Sequence, residues 1–226
     1  QILLESMLVA IRVILRMDQP MNSIYGPCEV YLPTILQTFV QDIEKAATNY
    51  KQETSLKLYE HLHARIKTEK SMREKCQRKG LPQTSQSALK EIRDAIGVRI
   101  ITGFTDDIYR IVEYIRQIPT IHIFKEKDYI RQVKPNGYRS YHLILEVTTP
   151  YPDCLGNAQG TYFIEIQLRT IAMDSWASLE HQMKYKKNIQ NPERITRELK
   201  RCADELASCD LTMQTIRDLI QRSDQD

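Results

Sequence analysis

Tyr162-Phe-Ile-Glu165-Ile-Gln167-Leu-Arg169-Thr170 is the stretch on which the fold turns. Apolar and polar residues alternate along it, the signature of a half-buried strand. On such a strand Tyr162, Ile164, Ile166 and Leu168 face one side, and Glu165, Gln167 and Arg169 the other. Upstream, residues 134–142 read Lys-Pro-Asn-Gly-Tyr-Arg-Ser-Tyr-His, a turn that presents Tyr138 flanked by Lys134, Arg139 and His142. A carboxylate on a rigid strand, beside a cationic loop with an aromatic plate, points to nucleotide phosphate chemistry.

Working outward, further strands are expected at 97–102, 121–127 and 141–148, with a helix at 106–117 between the first two. A hairpin around Cys154-Leu-Gly156-Asn157 leads into the strand at 161–169. Helices are expected at 28–50, 172–187 and 193–222. The first carries a stripe of Leu36, Phe39, Val40, Ile43, Ala47 and Tyr50. In the second, Ala172, Trp176, Leu179 and Met183 are expected to be the buried stripe, with Glu180 and His181 on or beside the cleft edge. Seven glycines in 226 residues suit a mainly helical protein with a modest sheet. The mixture is α+β: a mixed sheet of about four to five strands flanked by helices, with helical extensions at both ends. Domain boundaries are expected at 1–26 for an N-terminal helix and loop, 27–190 for the catalytic domain and 191–226 for a C-terminal helix.

Composition narrows the class. Apolar residues make up 42% and charged residues 27% of the chain, ordinary for a soluble domain with a real core. A net charge of +3 argues against a protein that coats nucleic acid and leaves room for a local basic cleft. Segment 55–79 is thick with Lys and Arg and is broken by Gly80-Leu-Pro82; most of it reads as a solvated basic face. The five cysteines form no C-x-x-C pair and no zinc spacing, as expected of free thiols in a reducing compartment. Residues 2–17 are apolar-rich, but Glu5, Arg12 and Arg16 interrupt a stretch already too short to span a bilayer. With no basic leader or small-residue cleavage site, a cytoplasmic protein without membrane contact is expected, its first helix buried or packed on a partner.

The last helix is regular. Ile195, Leu199, Cys202, Leu206, Cys209, Met213, Ile216 and Ile220 alternate steps of four and three, an a/d heptad seam. It accounts for Cys202 and Cys209 as packing residues. The seam packs either on the 28–50 helix of the same chain or on another subunit.

Four motifs, in order, carry a resemblance. They are Arg65-Ile-Lys67 with Ser71; Asp94-Ala-Ile-Gly97-Val-Arg99; Gly137-Tyr138-Arg139-Ser140-Tyr141-His142; and Glu165-Ile-Gln167-Leu-Arg169-Thr170 followed by Ala172-Met173, Trp176-Ala177, Glu180-His181 and Tyr185-Lys186. Together they resemble the small alarmone synthetases, the single-domain branch of the RelA/SpoT family. The resemblance implies a nucleotidyltransferase-like fold and pyrophosphate transfer from ATP to the ribose 3′-hydroxyl of GDP or GTP. It implies Mg²⁺, held by Asp94 and Glu165. Glu165 is then the general base, with Gln167 and Arg169 supporting it on the same face. Arg65, Lys67 and Ser71 hold the ATP phosphates, and Arg99 stacks on adenine. Tyr138 stacks on guanine, with Lys134 and His142 meeting acceptor phosphates or ribose and Gln167 also on the GDP/GTP side. The family often assembles as tetramers through terminal helices, so a homo-oligomer, most simply a tetramer, is expected.

Departures are visible. Thr68-Glu69-Lys70 stands where the phosphate loop ordinarily continues with proline and small or apolar residues, and Glu69 beside polyphosphate is unfavourable unless Lys70 offsets it or it points outward. Asp174 replaces an asparagine found in relatives whose tetramer centre binds the product, so product activation is not carried over. The five histidines include no His-Asp pair, so no hydrolase activity is expected. The alternatives are a toxic relative that pyrophosphorylates the tRNA 3′ end, an adenine-preferring synthetase, or a nucleotide- or RNA-binding regulator with a decayed site. On the tRNA alternative the basic 57–79 segment docks RNA.

Overall fold

The computed structural model describes residues 23–184 and 191–223. The apolar stretch 2–17 and the motif residues Tyr185 and Lys186 lie outside the described residues. Five strands run β1 (His61–Ile66), β2 (Ile96–Thr102), β3 (Ile121–Asp128), β4 (Tyr141–Thr148) and β5 (Thr161–Thr170). The helices are α1 (Leu32–Thr54), α2 (Glu69–Lys79), α3 (Thr105–Arg116), α4 (Ile171–Lys184) and α5 (Pro192–Ser223), preceded by a 3₁₀ turn at Gly26–Tyr31. The sheet order is β1-β2-β5-β4-β3. Only β2 and β5 pair in parallel; the other neighbours are antiparallel.

The alternation in β5 does what its pattern demands. Tyr162, Ile164, Ile166 and Leu168 are at most 1% exposed. Leu143 and Leu145 of β4 and Val98 and Ile100 of β2 continue this apolar face, and Ile35, Phe39 and Ile43 of α1 and Ile108, Ile111 and Ile115 of α3 join the same core. The core also reaches back to Ile24 and Tyr25, inside the stretch expected to be a loop, because the Tyr25 hydroxyl donates to the Lys67 carbonyl at 2.6 Å.

The basic 55–79 segment is more than a solvated face. It holds β1, an edge strand whose side chains are mostly exposed and which therefore shows no apolar alternation. It also holds α2, capped by the Thr68 hydroxyl, which accepts from the Ser71 N–H, and closed by Gly80 at φ +66°.

Two helices bury a different face from the one their apolar spacing predicts. On α4, Met173, Trp176 and Glu180 are buried, whereas Leu179 and Met183 are exposed. On α5, Ala203, Gln214 and Arg217 face inward, while Cys202, Cys209, Met213, Ile216 and Ile220 are exposed. Polar anchors set this rotation. The Trp176 indole donates to the Leu199 carbonyl at 2.8 Å. The Thr170 hydroxyl donates to Asp210 at 2.6 Å, and Arg217 donates to buried Asp107 at 2.7 Å while stacking on Phe104 at 4.0 Å. Helix α5 packs on α4 and α3 rather than on α1. No described helix is long and apolar enough to cross a membrane.

The β4–β5 connection is organised by Asp153, whose side chain is 1% exposed. Its carboxylate accepts from the Leu155 and Asn157 N–H groups at 3.0 and 3.2 Å and from Lys90 at 2.8 Å. Burial pushes its pKa up, but the bonds from Lys90 and Asn157 outweigh this and hold the carboxyl well below its ordinary value. Removing one partner of a buried pair strands the other charge, at a cost of about 3–5 kcal/mol. Lys90→Met is therefore expected to lower the denaturant unfolding free energy by about that amount, whereas Lys45→Met, at an exposed pair, changes it by less than about 1 kcal/mol.

Candidate active site

The polar face of the sheet carries two transverse rows. Strand register aligns Arg65, Gly97, Glu165, Ile144 and Lys125 in one. It aligns His63, Arg99, Gln167, His142 and Lys127 in the next. With strands about 4.8 Å apart, β2 and β4 flank Glu165 at about 5 Å on either side. The parallel β2–β5 pairing thus puts Arg65 and Arg99 on one side of the carboxylate and His142 and the 134–139 loop on the other.

On the β1–β2 side, His63, Arg65, Gly97, Arg99, Glu165 and Gln167 line a shallow cavity of about 160 Å³. Gly97 leaves its floor clear: an added Cβ would meet only the Arg65 side chain, at 4.0 Å. Beside it, Arg65, Lys67, Thr68, Ser71, Arg78 and His181 line a larger open cleft of about 710 Å³. Helix α2 lines this cleft along its flank, from Thr68 and Ser71 through Glu74 and Gln77 to Arg78. Glu69 is engaged elsewhere, accepting from Arg73 at 3.3 Å and from the Ile24 N–H at 3.2 Å.

Asp94 sits at the foot of β2 with Lys67 and Lys75 both donating to its Oδ2. Burial pushes its pKa up, but these two lysines outweigh burial and keep the carboxyl below its ordinary value. Lys67, read from sequence as a phosphate ligand, therefore also neutralises Asp94. The other oxygen, Oδ1, is buried with no hydrogen-bond partner among the described residues. Glu165 behaves oppositely. Burial first, and then the charge of Asp94, raise its pKa against the opposing pull of Lys75, Lys67 and Arg65. Two neighbouring carboxylates are pushed apart in pKa, the arrangement that divides proton-accepting and charge-binding roles.

No cluster of three or more His, Cys, Asp or Glu side chains able to hold a metal occurs among the described residues. Mg²⁺ does not require one, since it binds through one or two carboxylates plus phosphate oxygens. The orphaned Asp94 Oδ1 beside Glu165 fits that donor set.

Across β5, Tyr138 lies in a cage of aromatic and cationic groups. Lys134 Nζ is 4.8 Å from its ring centre and the Arg169 guanidinium 5.4 Å. Its hydroxyl is 2.8 Å from His142 Nε2 and accepts from Arg169 at 2.9 Å. Burial, then the charges of Arg169, Lys134 and Lys127, push His142 down to about 4. It is neutral near pH 7 and orients the Tyr138 hydroxyl; it does not bring the positive charge a phosphate contact would use. Tyr129, absent from the sequence-based set, packs edge-on to Tyr138 and His142 with ring centres 6.1 and 5.4 Å away and lies 4.4 Å beneath Lys134. Nothing local marks it; β4 has to fold beside β3 to bring it there. Trp176 lies 6.3 Å from Tyr138 as buried support.

Fold and site together define a nucleotidyltransferase-like enzyme class, with an arginine-lined cavity on one side of Glu165 and a caged tyrosine on the other. Residues 64–190 match the family described as "Region found in RelA / SpoT proteins". The chain is 46% identical over 145 residues to the GTP pyrophosphokinase YwaC of Bacillus subtilis, covering 64% of this chain and 67% of that protein. It is 32% identical over 176 residues to the GTP pyrophosphokinase YjbM of the same organism, covering 78% and 80%. Small alarmone synthetase 2 from Bacillus subtilis superposes with a TM-score of 0.70 at 36% identity, covering 84% of this chain and 95% of that one. Small alarmone synthetase 1, bound to its product pppGpp, also gives 0.70, at 29% identity over 84% and 94%. The chain belongs to the RelA/SpoT family, and its likeness within that family is to the small alarmone synthetases.

The Tyr138 loop is clamped by α5. Gly137 has φ +90°, and a Cβ there would lie 2.6 Å from Ala203 Cβ and 3.2 Å from Lys200 Cα. Arg139 ties the same turn to the Ala203 carbonyl at 3.1 Å and to Asp204 at 3.0 Å. Gly137→Ala is expected to lower the unfolding free energy by about 2–4 kcal/mol, combining overpacking and left-handed strain. Gly156→Ala, at φ +87° with open space around it, should cost only about 1–2 kcal/mol. Urea titrations of the two variants give the comparison.

Proposed function

We propose that this protein transfers the pyrophosphoryl group of ATP to the ribose 3′-hydroxyl of GDP or GTP, giving the alarmone (p)ppGpp and AMP. The observation that carries this reading is Glu165, a raised-pKa carboxylate on the central strand between an arginine-lined cleft and a caged tyrosine. Arg65, Lys67 and Ser71 bind the ATP phosphates and Arg99 stacks on adenine, a task its planar guanidinium suits. Tyr138 offers its ring to guanine, and Lys134, lying over that ring, swings to the acceptor phosphates. The 3′-hydroxyl gives its proton to Glu165 as its oxygen attacks the β-phosphorus. The bond from that phosphorus to the α,β-bridging oxygen breaks, and AMP leaves with the electron pair. Asp94 and Glu165 are the residues that would hold Mg²⁺, which would supply neutralisation of polyphosphate charge, while the residues themselves position, desolvate and accept the proton. The cytoplasm, which holds both nucleotides, is the place for this activity. Incubation with ATP, Mg²⁺ and each of GMP, GDP, GTP and tRNA, followed by product separation, tests the reading. Labelled (p)ppGpp is the expected product; transfer to tRNA alone would replace this acceptor assignment with the tRNA one.

Glu165→Gln keeps the shape and removes the proton acceptor, so kcat should fall by about 10²–10⁴ while nucleotide binding survives. Because the base must be ionised, kcat in the parent protein should fall at acid pH as the Glu165 carboxyl takes up a proton. The pH–rate profile of the glutamine variant should lose this limb. Tyr138→Ala should raise the acceptor KM by about 5- to 150-fold, the equivalent of about 1–3 kcal/mol of stacking. The KM for ATP should change little, and Tyr138→Phe, which keeps the plate, should stay closer to the parent.

We further propose that the outward stripe of Cys209, Met213, Ile216 and Ile220 joins copies of this chain into a homo-oligomer, with a tetramer as the expected assembly. Met213, Ile216 and Ile220 are 50%, 44% and 57% exposed, and runs of exposed apolar side chains mark partner surfaces. Leu206 lines the α4–α5 cleft within the subunit, so Ile216→Glu is the variant that tests the outer face. It should shift sedimentation toward monomer; a monomeric parent protein at micromolar concentration would reject the assembly.

A further inference from the structure

Asp174, in the first turn of α4, holds two arginines with one oxygen. Its Oδ1 accepts from Arg169 Nη1 at 2.8 Å and lies 3.6 Å from Arg99 Nη1. These arginines belong to different halves of the site. Arg99 lines the cavity on the β1–β2 side. Arg169 donates to the Tyr138 hydroxyl at 2.9 Å and to Gln167 at 3.1 Å, with Ser140 at 3.4 Å. Tyr138 in turn meets His142. A continuous polar path thus runs from the adenine side of Glu165 to the guanine side, and one carboxylate is its joint.

The arginines are not held equally. The Arg169 side chain is 7% exposed and multiply bonded. The Arg99 side chain is 41% exposed, its Nε is buried with no hydrogen-bond partner among the described residues, and its one ion pair among them is with Asp174. A base laid on Arg99 fixes that guanidinium, and with it the shared carboxylate. A base laid on Tyr138 bears on the same carboxylate through the hydroxyl that accepts from Arg169, the arginine already bonded to Asp174. Each nucleotide thus meets one end of a single ion-paired chain, so a shift made at one end is felt at the other.

We infer that Asp174 is a positioning residue that couples the two nucleotide subsites, so that ATP and the acceptor each bind more tightly when the other is present. The inference rests on the two-subsite assignment under Proposed function. Coupling of this kind is reciprocal: the factor by which one ligand tightens the second equals the factor in the opposite direction.

Calorimetric titration of α,β-methylene-ATP and of GDP, alone and each with the other saturating, in Mg²⁺, tests it on the full chain and on Asp174→Asn. In the parent protein saturating GDP should tighten the ATP analogue about 5-fold or more, and the analogue should tighten GDP by the same factor. In Asp174→Asn the ratio should collapse to about one while each nucleotide alone binds within a few-fold of the parent. A purely structural role would lower the melting temperature without moving the ratio. Independent binding in the parent overturns the coupling and leaves the two subsites standing. Competition for one site, or no binding, overturns the subsite assignment and the coupling with it. Full coupling retained in Asp174→Asn overturns the role of Asp174. Should that variant not fold, the parent ratio still decides whether coupling exists, and Asp174→Ser, which also removes the charge, takes its place; the full parent ratio there overturns the role.

Discussion

Everything in the site depends on the register of β5. This strand pairs with β2 in parallel on one side and with β4 antiparallel on the other, and its inner face is sealed in the core. A slip of one residue would send Glu165, Gln167 and Arg169 inward and expose four large apolar side chains, so burial fixes the register strongly. The same constraint carries Arg99 alongside Gln167 and Gly97 alongside Glu165 without any direct contact having to specify it. The chemistry is therefore mounted on a largely buried central strand, where positional scatter is small.

Charge compensation is the second constraint. The cleft on the β1–β2 side is basic, which suits polyphosphate, but like charges in a half-buried space repel when no nucleotide offsets them. Carboxylates answer this at two places. Asp94 takes Lys67 and Lys75, and Asp174 takes Arg169 and lies near Arg99. The site is thus held together by ion pairs between its basic side chains and these two carboxylates. Glu165 has no such partner in hydrogen-bond contact among the described residues; burial first, and then the charge of Asp94, raise its pKa.

Helix α5 shows how polar anchoring outranks apolar spacing. Its heptad seam would bury a row of Cys, Met and Ile; instead the Arg217–Asp107 pair, the Thr170–Asp210 bond and the Trp176–Leu199 bond turn the helix so that much of the row faces outward. Each of those groups would be stranded if the helix rotated, and stranding a buried charge costs more than exposing a methionine. The consequence reaches the active site, because the face that does pack presses Ala203 and Lys200 against Gly137.

What the sequence alone determined is what short-range periodicity and motif order can carry. The alternation in 162–170 fixed β5 and its polar face. The strand patterns at 97–102, 121–127 and 141–148 and the four long helices stand within a few residues of where spacing puts them. Arg65, Arg99 and Glu165 line one cavity, joined there by Gln167, which the motifs put on the acceptor side, and Tyr138 stands beside Lys134 and His142. Other features were decided only by tertiary structure. β1 is invisible in the sequence because an edge strand exposed on most positions has no apolar period. The inward faces of α4 and α5 were set by partners far along the chain, which no local stripe encodes. Tyr129, the neutral state of His142 and the double duty of Asp174 come from packing β3, β4 and α4 together, since burial and neighbouring charge exist only after the chain has closed on itself.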